Sequence, residues 1–237
     1  MLFRSVQEID EELLKEVVGL LLVNFPSTIH TSLVKVAFSK SQDQVDFLRL
    51  LVSSAIELAY NHFKKKSAIA VLELCEQIDP KFQLNLKYLA NISCEIGDYQ
   101  KAIETSQNFL ENTDTLLEKV EGNRLFLKSL LAAGNWREVL KIITEYKEQL
   151  QELAENITEN TGEEEVSFGL PLAAFYLSYI EDKIQQNRFF QNEIGKLIQA
   201  QFINTVIQHN RPNSYNKKYL RIGYIAHTLR SHSVGWL

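Results

Sequence analysis

Proline, glycine and cysteine are scarce in this sequence: its 237 residues include four Pro, nine Gly and two Cys. So few turn-forming residues argue against a turn-rich β fold and favour long helices. Two cysteines cannot supply a disulfide scaffold, and no Cys-x-x-Cys pair or Cys/His cluster has the spacing of a zinc site. We therefore predict a mostly helical chain in which Cys75 and Cys94 are buried, reduced thiols.

Long apolar runs and an excess of basic residues are also lacking. The longest apolar stretch, residues 17–23, is far shorter than the roughly 18 residues that a membrane span needs. The N-terminal residues carry acids where a signal peptide needs an apolar segment. The formal net charge is −5, which excludes an overall basic footprint for nucleic acid. These features predict a cytoplasmic protein whose partner is neither a membrane nor a nucleic acid.

A pattern of small and apolar residues is present twice in the middle of the chain. The two copies are Ala68, Leu72, Cys75 and Pro80, then Ala102, Ser106 and Phe109. Ala68 and Ala102 are 34 residues apart, which is the period of a tetratricopeptide repeat. The spacing within each copy places the residues on one face of a helix. The sequence therefore predicts repeated helical hairpins.

Glycines mark the turns of the later hairpins. Gly97 precedes Tyr99 by two residues, and Gly134 precedes Trp136 in the same way, whereas the first repeat has Lys65 at the aromatic position. Glycine ends a helix by adopting the left-handed conformation, and stacked hairpins cover one another's apolar faces. We predict an all-α fold, a right-handed superhelix of tetratricopeptide-like hairpins. A generic helical array is the alternative.

Composition divides the chain into five segments. They are N-terminal helices at 1–47, tetratricopeptide-like repeats at 48–153, an acidic loop at 154–167, a helical hairpin or connector at 168–210, and a linker with a following segment at 211–237. The last segment has five Lys or Arg and no acid. Residues 219–226 change from helical to β-rich character and predict a short buried strand.

Four polar residues on the predicted first helices of two repeats form a candidate groove site. Lys87 and Asn91 are one helical turn apart, and Arg124 and Lys128 have the same spacing in the next repeat. Such cations hold a carboxylate by charge-assisted hydrogen bonds, so we predict a protein or acidic peptide as the partner. The arrangement resembles the carboxylate clamp of some chaperone-binding repeats. The alternative is a solvated helix face. The sequence predicts no oligomeric state.

The C-terminal residues carry a family resemblance. The motif consists of Leu220, Arg221, Ile222, Gly223 and Tyr224, with His232 following at a short distance. This segment resembles the opening strand and loop of the catalytic domain in the O-GlcNAc transferase / SPINDLY family. In that family, tetratricopeptide repeats directly precede a two-lobed α/β glycosyltransferase, so the resemblance also agrees with the predicted repeats.

The resemblance implies the front part of an enzyme that transfers sugar from a nucleotide-sugar donor to a Ser/Thr hydroxyl of a protein. It places His232 in the catalytic cleft of the full-length family member. The present chain holds only the first strand and loop of such a domain, so we expect it to have no catalytic activity and no cofactor of its own. His227 and His232 are five residues apart, which does not suit two metal ligands on one helix face. A stand-alone repeat adaptor that binds a peptide or protein is the alternative.

Overall fold

The structure, a computed structural model, describes residues 18–19, 28–156 and 172–202. The helices are α1 Thr28–Lys40, α2 Gln44–Ile56, α3 Lys65–Ile78, α4 Gln83–Glu95, α5 Tyr99–Glu111, α6 Leu116–Ala132, α7 Trp136–Asn156, α8 Leu177–Ile180 and α9 Ile184–Phe202. A π-helical turn, Glu57–Asn61, extends α2. These ranges contain helices and no strand, so the all-α prediction is confirmed for them. The strand predicted at 219–226 lies outside the described residues.

Side-chain caps fix where several helices begin. The Asp43 carboxylate accepts from the Asp46 amide at 2.8 Å and starts α2. The Asp98 carboxylate accepts from the Lys101 amide and starts α5. Thr115 and Glu118 form a reciprocal capping box at the start of α6. These caps satisfy amides that have no partner within the helix, and they keep the connections between helices short.

Left-handed turns end two of the helices, as the sequence predicted. Gly97 has φ of +87° after α4, and Gly134 has φ of +71° after α6. The amide that follows each glycine donates a hydrogen bond to a carbonyl near the end of the preceding helix. The Asp98 amide donates to the Ser93 carbonyl, and the Asn135 amide donates to the Leu130 carbonyl. Each turn therefore reverses the chain into the following antiparallel helix.

The helices α2 to α7 pack as successive hairpins in two layers. Helix α2 contacts α4, and α4 contacts α6, so the even-numbered helices lie side by side in one layer. Helices α3, α5 and α7 follow their partners on the other side. The helical residues of the predicted repeat pattern are buried at 3% exposure or less, whereas Pro80, after α3, is exposed: the buried ones are Ala68, Leu72, Cys75, Ala102, Ser106 and Phe109. These residues lie in the core between the helices.

The C-terminal part differs from the predicted hairpin of two regular helices. Residues 174–176 form a turn that interrupts the first arm, and α8 is only four residues long. The Tyr146 hydroxyl, on α7, donates to the Ala173 carbonyl at 2.5 Å. The Asn187 amide, on α9, donates to the Glu181 carbonyl at 2.9 Å. These two hydrogen bonds connect α7 and α9 to the backbone at the two ends of the interrupted segment, residues 173–181. Ala154–Asn156, predicted as loop, belong to α7, and 157–167 lie outside the described residues.

Two helices are long enough to reach across a bilayer but are too polar to do so. Helix α7 has 21 residues and α9 has 19. Both carry charged or amide side chains along their length, which a hydrocarbon core disfavours. In the part of the chain that the structure describes, no helix combines the length and the apolar character of a membrane span.

Candidate functional site

The four predicted groove residues lie on neighbouring helices of the same layer. Lys87 and Asn91 belong to α4, and Arg124 and Lys128 belong to α6. The Lys128 ammonium donates to the Asn91 side-chain oxygen at 2.5 Å, which joins the two helices directly. The predicted catalytic residue, His232, lies outside the described residues. We call the surface formed by Lys87, Asn91, Glu95, Glu121, Arg124 and Lys128 the α4–α6 surface.

Glu121 is the centre of one half of this surface. Arg124 donates two hydrogen bonds to its carboxylate, from Nε at 2.7 Å and from Nη2 at 2.8 Å. The Lys87 ammonium reaches the same carboxylate at 3.0 Å. Burial alone would raise the pKa of Glu121, but the hydrogen bonds and charge of Arg124, with the charge of Lys87, outweigh burial and lower this pKa. Glu121 is therefore an anion held inside the protein.

Arg124 is a buried cation of the fold rather than a surface cation. Tyr176, which belongs to the C-terminal segment, lies near enough that the charge of Arg124 opposes the burial that raises the pKa of Tyr176. Only 4% of Arg124 is exposed. Burial would lower the pKa of Arg124, but its bonds to Glu121 and the charge of that carboxylate raise it. The guanidinium thus has little surface left for a ligand, and its predicted contact with a ligand stays a prediction.

Glu95 is the centre of the other half. Its carboxylate lies 2.8 Å from the Lys65 ammonium and 4.0 Å from the Lys128 ammonium. It also accepts from the Asn91 amide at 3.0 Å and from the Tyr60 hydroxyl at 3.2 Å. Burial, followed by the negative charge of Glu95, raises the pKa of Tyr60 to about 12, so the hydroxyl keeps its proton. Burial lowers the pKa of Lys128.

Sequence reasoning missed both carboxylates. Glu121 precedes Arg124 by three residues, and Glu95 follows Asn91 by four. Both spacings put the side chains on one helix face, and at the first of them opposite charges meet. This local signal was sufficient to predict that Arg124 has an acidic partner, whereas the cations beside Glu95 belong to other helices. The roles of Tyr60 and Lys65 had no comparable signal, because they reach Glu95 from another hairpin.

A cleft of about 750 Å³ continues from the α4–α6 surface, and Lys87 and Glu121 line both. Arg49 of α2, Phe82 and Leu117 are further walls of the cleft. The Gln83 side chain also lines it. The amide of Gln83 donates to the Asn112 carbonyl, while its oxygen is buried without a partner in the described structure. The cleft and the polar surface together form an elongated site along the even-numbered helices.

The cysteines show no sign of reactivity or metal binding. Both are buried free thiols, as predicted. Burial raises the pKa of Cys75 to about 12, and it also raises the pKa of Cys94. A protonated, enclosed thiol is a poor nucleophile and a poor metal ligand. Among the described residues, no group of three or more His, Cys, Asp or Glu is placed to hold a metal ion.

Comparisons with known proteins identify no relative. A scan against protein-family models finds no match, and searches of curated proteins and of solved structures find no significant match. The chain's own residues make the α4–α6 surface and its cleft the candidate site.

Proposed function

We propose that residues 28–156 form a tetratricopeptide-like module whose α4–α6 surface binds an acidic segment of a partner protein. The contact between Lys128 and Asn91 carries this proposal, because it brings the two predicted halves of the site together on adjacent helices. The 34-residue period and the left-handed glycines at Gly97 and Gly134 support the tetratricopeptide assignment. Repeat arrays of this kind offer extended surfaces for such segments.

The charge of the site favours an anionic ligand. Four cations, Lys65, Lys87, Arg124 and Lys128, surround the two carboxylates of Glu95 and Glu121. The internal carboxylates neutralise only part of this positive charge. Glu95 is the less enclosed of the two, with 25% of its side chain exposed against 11% for Glu121. A ligand carboxylate can replace Glu95 beside Lys65 and Lys128, whereas Glu121 stays as a fixed part of the fold.

Removing the two groove lysines, which are partly exposed, is expected to weaken the binding of acidic peptides about tenfold or more. Hydrogen bonds to charged groups contribute roughly 1.5–3 kcal/mol each, and about 1.4 kcal/mol is a tenfold change in affinity. The variant is Lys87→Met with Lys128→Met, which keeps the apolar stems of the side chains. Fluorescence polarisation measures its affinity for the acidic peptides that the wild-type protein selects from a synthetic array.

Lys141→Met is the matched control. Lys141 lies on α7, pairs with Glu138 at 2.6 Å and is 62% exposed, so the change removes a paired lysine from the other layer. Binding by this control should equal that of the wild type. Selection of acidic peptides should also weaken with added salt, because ions screen the attraction. Equal affinity of the groove variant and the Lys141→Met control would contradict the proposal.

The second part of the proposal is that this module serves a protein glycosyltransferase. The segment with Leu220, Arg221 and Gly223, followed by His232, favours it through its resemblance to the O-GlcNAc transferase / SPINDLY family. In such an enzyme the module presents the protein substrate, and the catalytic lobes take a nucleotide-sugar as the donor. A stand-alone adaptor uses the same surface without any sugar transfer.

The size of the cellular protein separates these two roles. An antibody raised against residues 28–156 should detect a protein much larger than the 27.3 kDa of this sequence. That larger form should transfer sugar from a nucleotide-sugar to protein hydroxyls, and its His232→Ala variant should lose most of this activity while keeping peptide binding. A single product of 27.3 kDa that binds peptides would support the adaptor and contradict the enzyme.

A further inference from the structure

Three turns of the array share one unusual backbone conformation, but one of them lacks glycine. Phe63 has φ of +56°, in the left-handed region that Gly97 and Gly134 also adopt. Phe63 lies 34 residues before Gly97, one repeat period, so it is the equivalent position of the first hairpin. Among the described residues it is the only non-glycine with positive φ. The first repeat therefore keeps the turn while replacing its preferred residue with a bulky aromatic one.

This phenylalanine adds little to the stability of the fold. A bulky side chain is disfavoured at positive φ because its Cβ approaches the backbone carbonyl. Packing does not compensate for this strain, because Phe63 is 85% exposed. A residue that is both strained and exposed, at a position where glycine suits the backbone, points to a role in binding.

The surroundings of Phe63 are basic and continue into the α4–α6 surface. Lys64 and Lys66 are exposed on either side of Lys65. Lys65 lies 2.8 Å from Glu95 and holds its ammonium 5.9 Å from the centre of the Tyr60 ring. Tyr60 in turn accepts a hydrogen bond from Asn91 at 3.0 Å. Lys65 and Tyr60 thus connect the groove polar groups to the start of α3, where Phe63, Lys64 and Lys66 are exposed.

We propose that Phe63 is an apolar anchor for a partner segment that combines acidic residues with an apolar side chain. The apolar side chain packs on the Phe63 ring, while neighbouring carboxylates pair with Lys64 and Lys66 and enter the groove beside Lys65. This inference rests on the proposed peptide-binding function and names both its ligand class and a further contact residue. Aromatic side chains are enriched at protein interfaces, where a few residues supply most of the binding energy.

Phe63→Gly tests the proposal through two effects of opposite sign. Relief of the left-handed strain should raise the urea midpoint of unfolding. Loss of the ring should weaken binding about tenfold. Gly97→Ala is the control for the backbone argument: its Cβ meets nothing within 4 Å, so the change measures the cost of the left-handed turn alone and should lower the midpoint. A ring kept for stability would instead make Phe63→Gly less stable.

The binding measurement uses an array of synthetic peptides in four classes: acidic, apolar, both acidic and apolar, and neither. The wild type should prefer the combined class, and Phe63→Gly should lose this preference while still binding acidic peptides. Leu140→Ala, which removes a 61% exposed side chain from α7, should change nothing. Equal selection by wild type and Phe63→Gly would overturn the inference and leave the proposed function intact. Failure to bind any class, or binding to anionic lipid vesicles instead, would overturn both.

Discussion

Arg124→Met is expected to lower the free energy of unfolding by about 3 kcal/mol, since breaking one side of a buried ion pair costs roughly 3–5 kcal/mol. The change leaves the Glu121 carboxylate buried with only Lys87 beside it, at 3.0 Å. Lys87 compensates part of the lost charge, which places the expected effect at the lower end of that range. Urea unfolding followed by circular dichroism measures it.

The double variant Arg124→Met with Glu121→Met is the matched control. It replaces both members of the pair with apolar side chains, so no buried charge is left alone. Its stability should lie much closer to that of the wild type than the stability of Arg124→Met does. If the two variants were equally destabilised, the loss would come from packing of the Arg124 stem, and the ion-pair account would be wrong.

The pH dependence gives a second signature of this pair. The pKa of Glu121 is lowered in the folded protein, so its contribution to stability is complete above the unfolded value of about 4.3. That contribution is lost as the pH falls through the lower folded value. In Arg124→Met the burial that raises this pKa is less opposed, so the folded value moves toward or above the unfolded one, and the loss of stability that Glu121 causes on acidification should shrink or change sign. Glu121→Gln should remove this part of the acid sensitivity altogether.

The arrangement of successive helical hairpins was predictable, because it depends on the spacing of residues close together in the sequence. The period and the glycines predicted hairpins, and hairpin stacking then placed Lys87, Asn91, Arg124 and Lys128 on adjacent helices. The left-handed turn at Phe63 was not predicted, because this position has no glycine to indicate such a turn. Only its distance of one repeat period from Gly97 shows that the two turns are equivalent. Residue spacing and turn glycines thus predict where the site lies, but they do not predict a turn such as that of Phe63, in which another residue replaces glycine.

The burial of Arg124 was not predictable, because it depends on distant parts of the chain. Tyr176, from a segment more than fifty residues away, lies close to the guanidinium that the helix pattern predicted on an open surface. The interrupted first arm of the C-terminal hairpin has a similar origin. Tyr146 and Asn187 bond to its carbonyls from α7 and α9, and such long-range contacts override the apolar periodicity of the segment itself.

Gly122→Val is expected to destabilise the protein by about 3 kcal/mol, the upper part of the usual range for overpacking a core. Gly122 lies on α6, where a Cβ would come within 2.7 Å of Leu110 Cδ2 and 2.8 Å of Phe109 Cδ1. Phe109 is itself buried at 3% exposure, so it has little room to move. The β-branched side chain would push α5 and α6 apart, and the groove on α6 would move with them. Peptide affinity should therefore fall together with the unfolding midpoint.

Gly195→Ala shows whether this effect is specific to the crowded position. Gly195 lies on α9, and a Cβ there meets nothing within 4 Å. Alanine is favoured over glycine in a helix by about 1 kcal/mol, so this variant should be as stable as the wild type or slightly more so, with unchanged peptide affinity. Gly122→Ala should lie between the two, because the same gain in helix propensity offsets part of its clash. A Gly122→Val protein with wild-type stability would mean that α5 and α6 are not packed as closely as the structure places them.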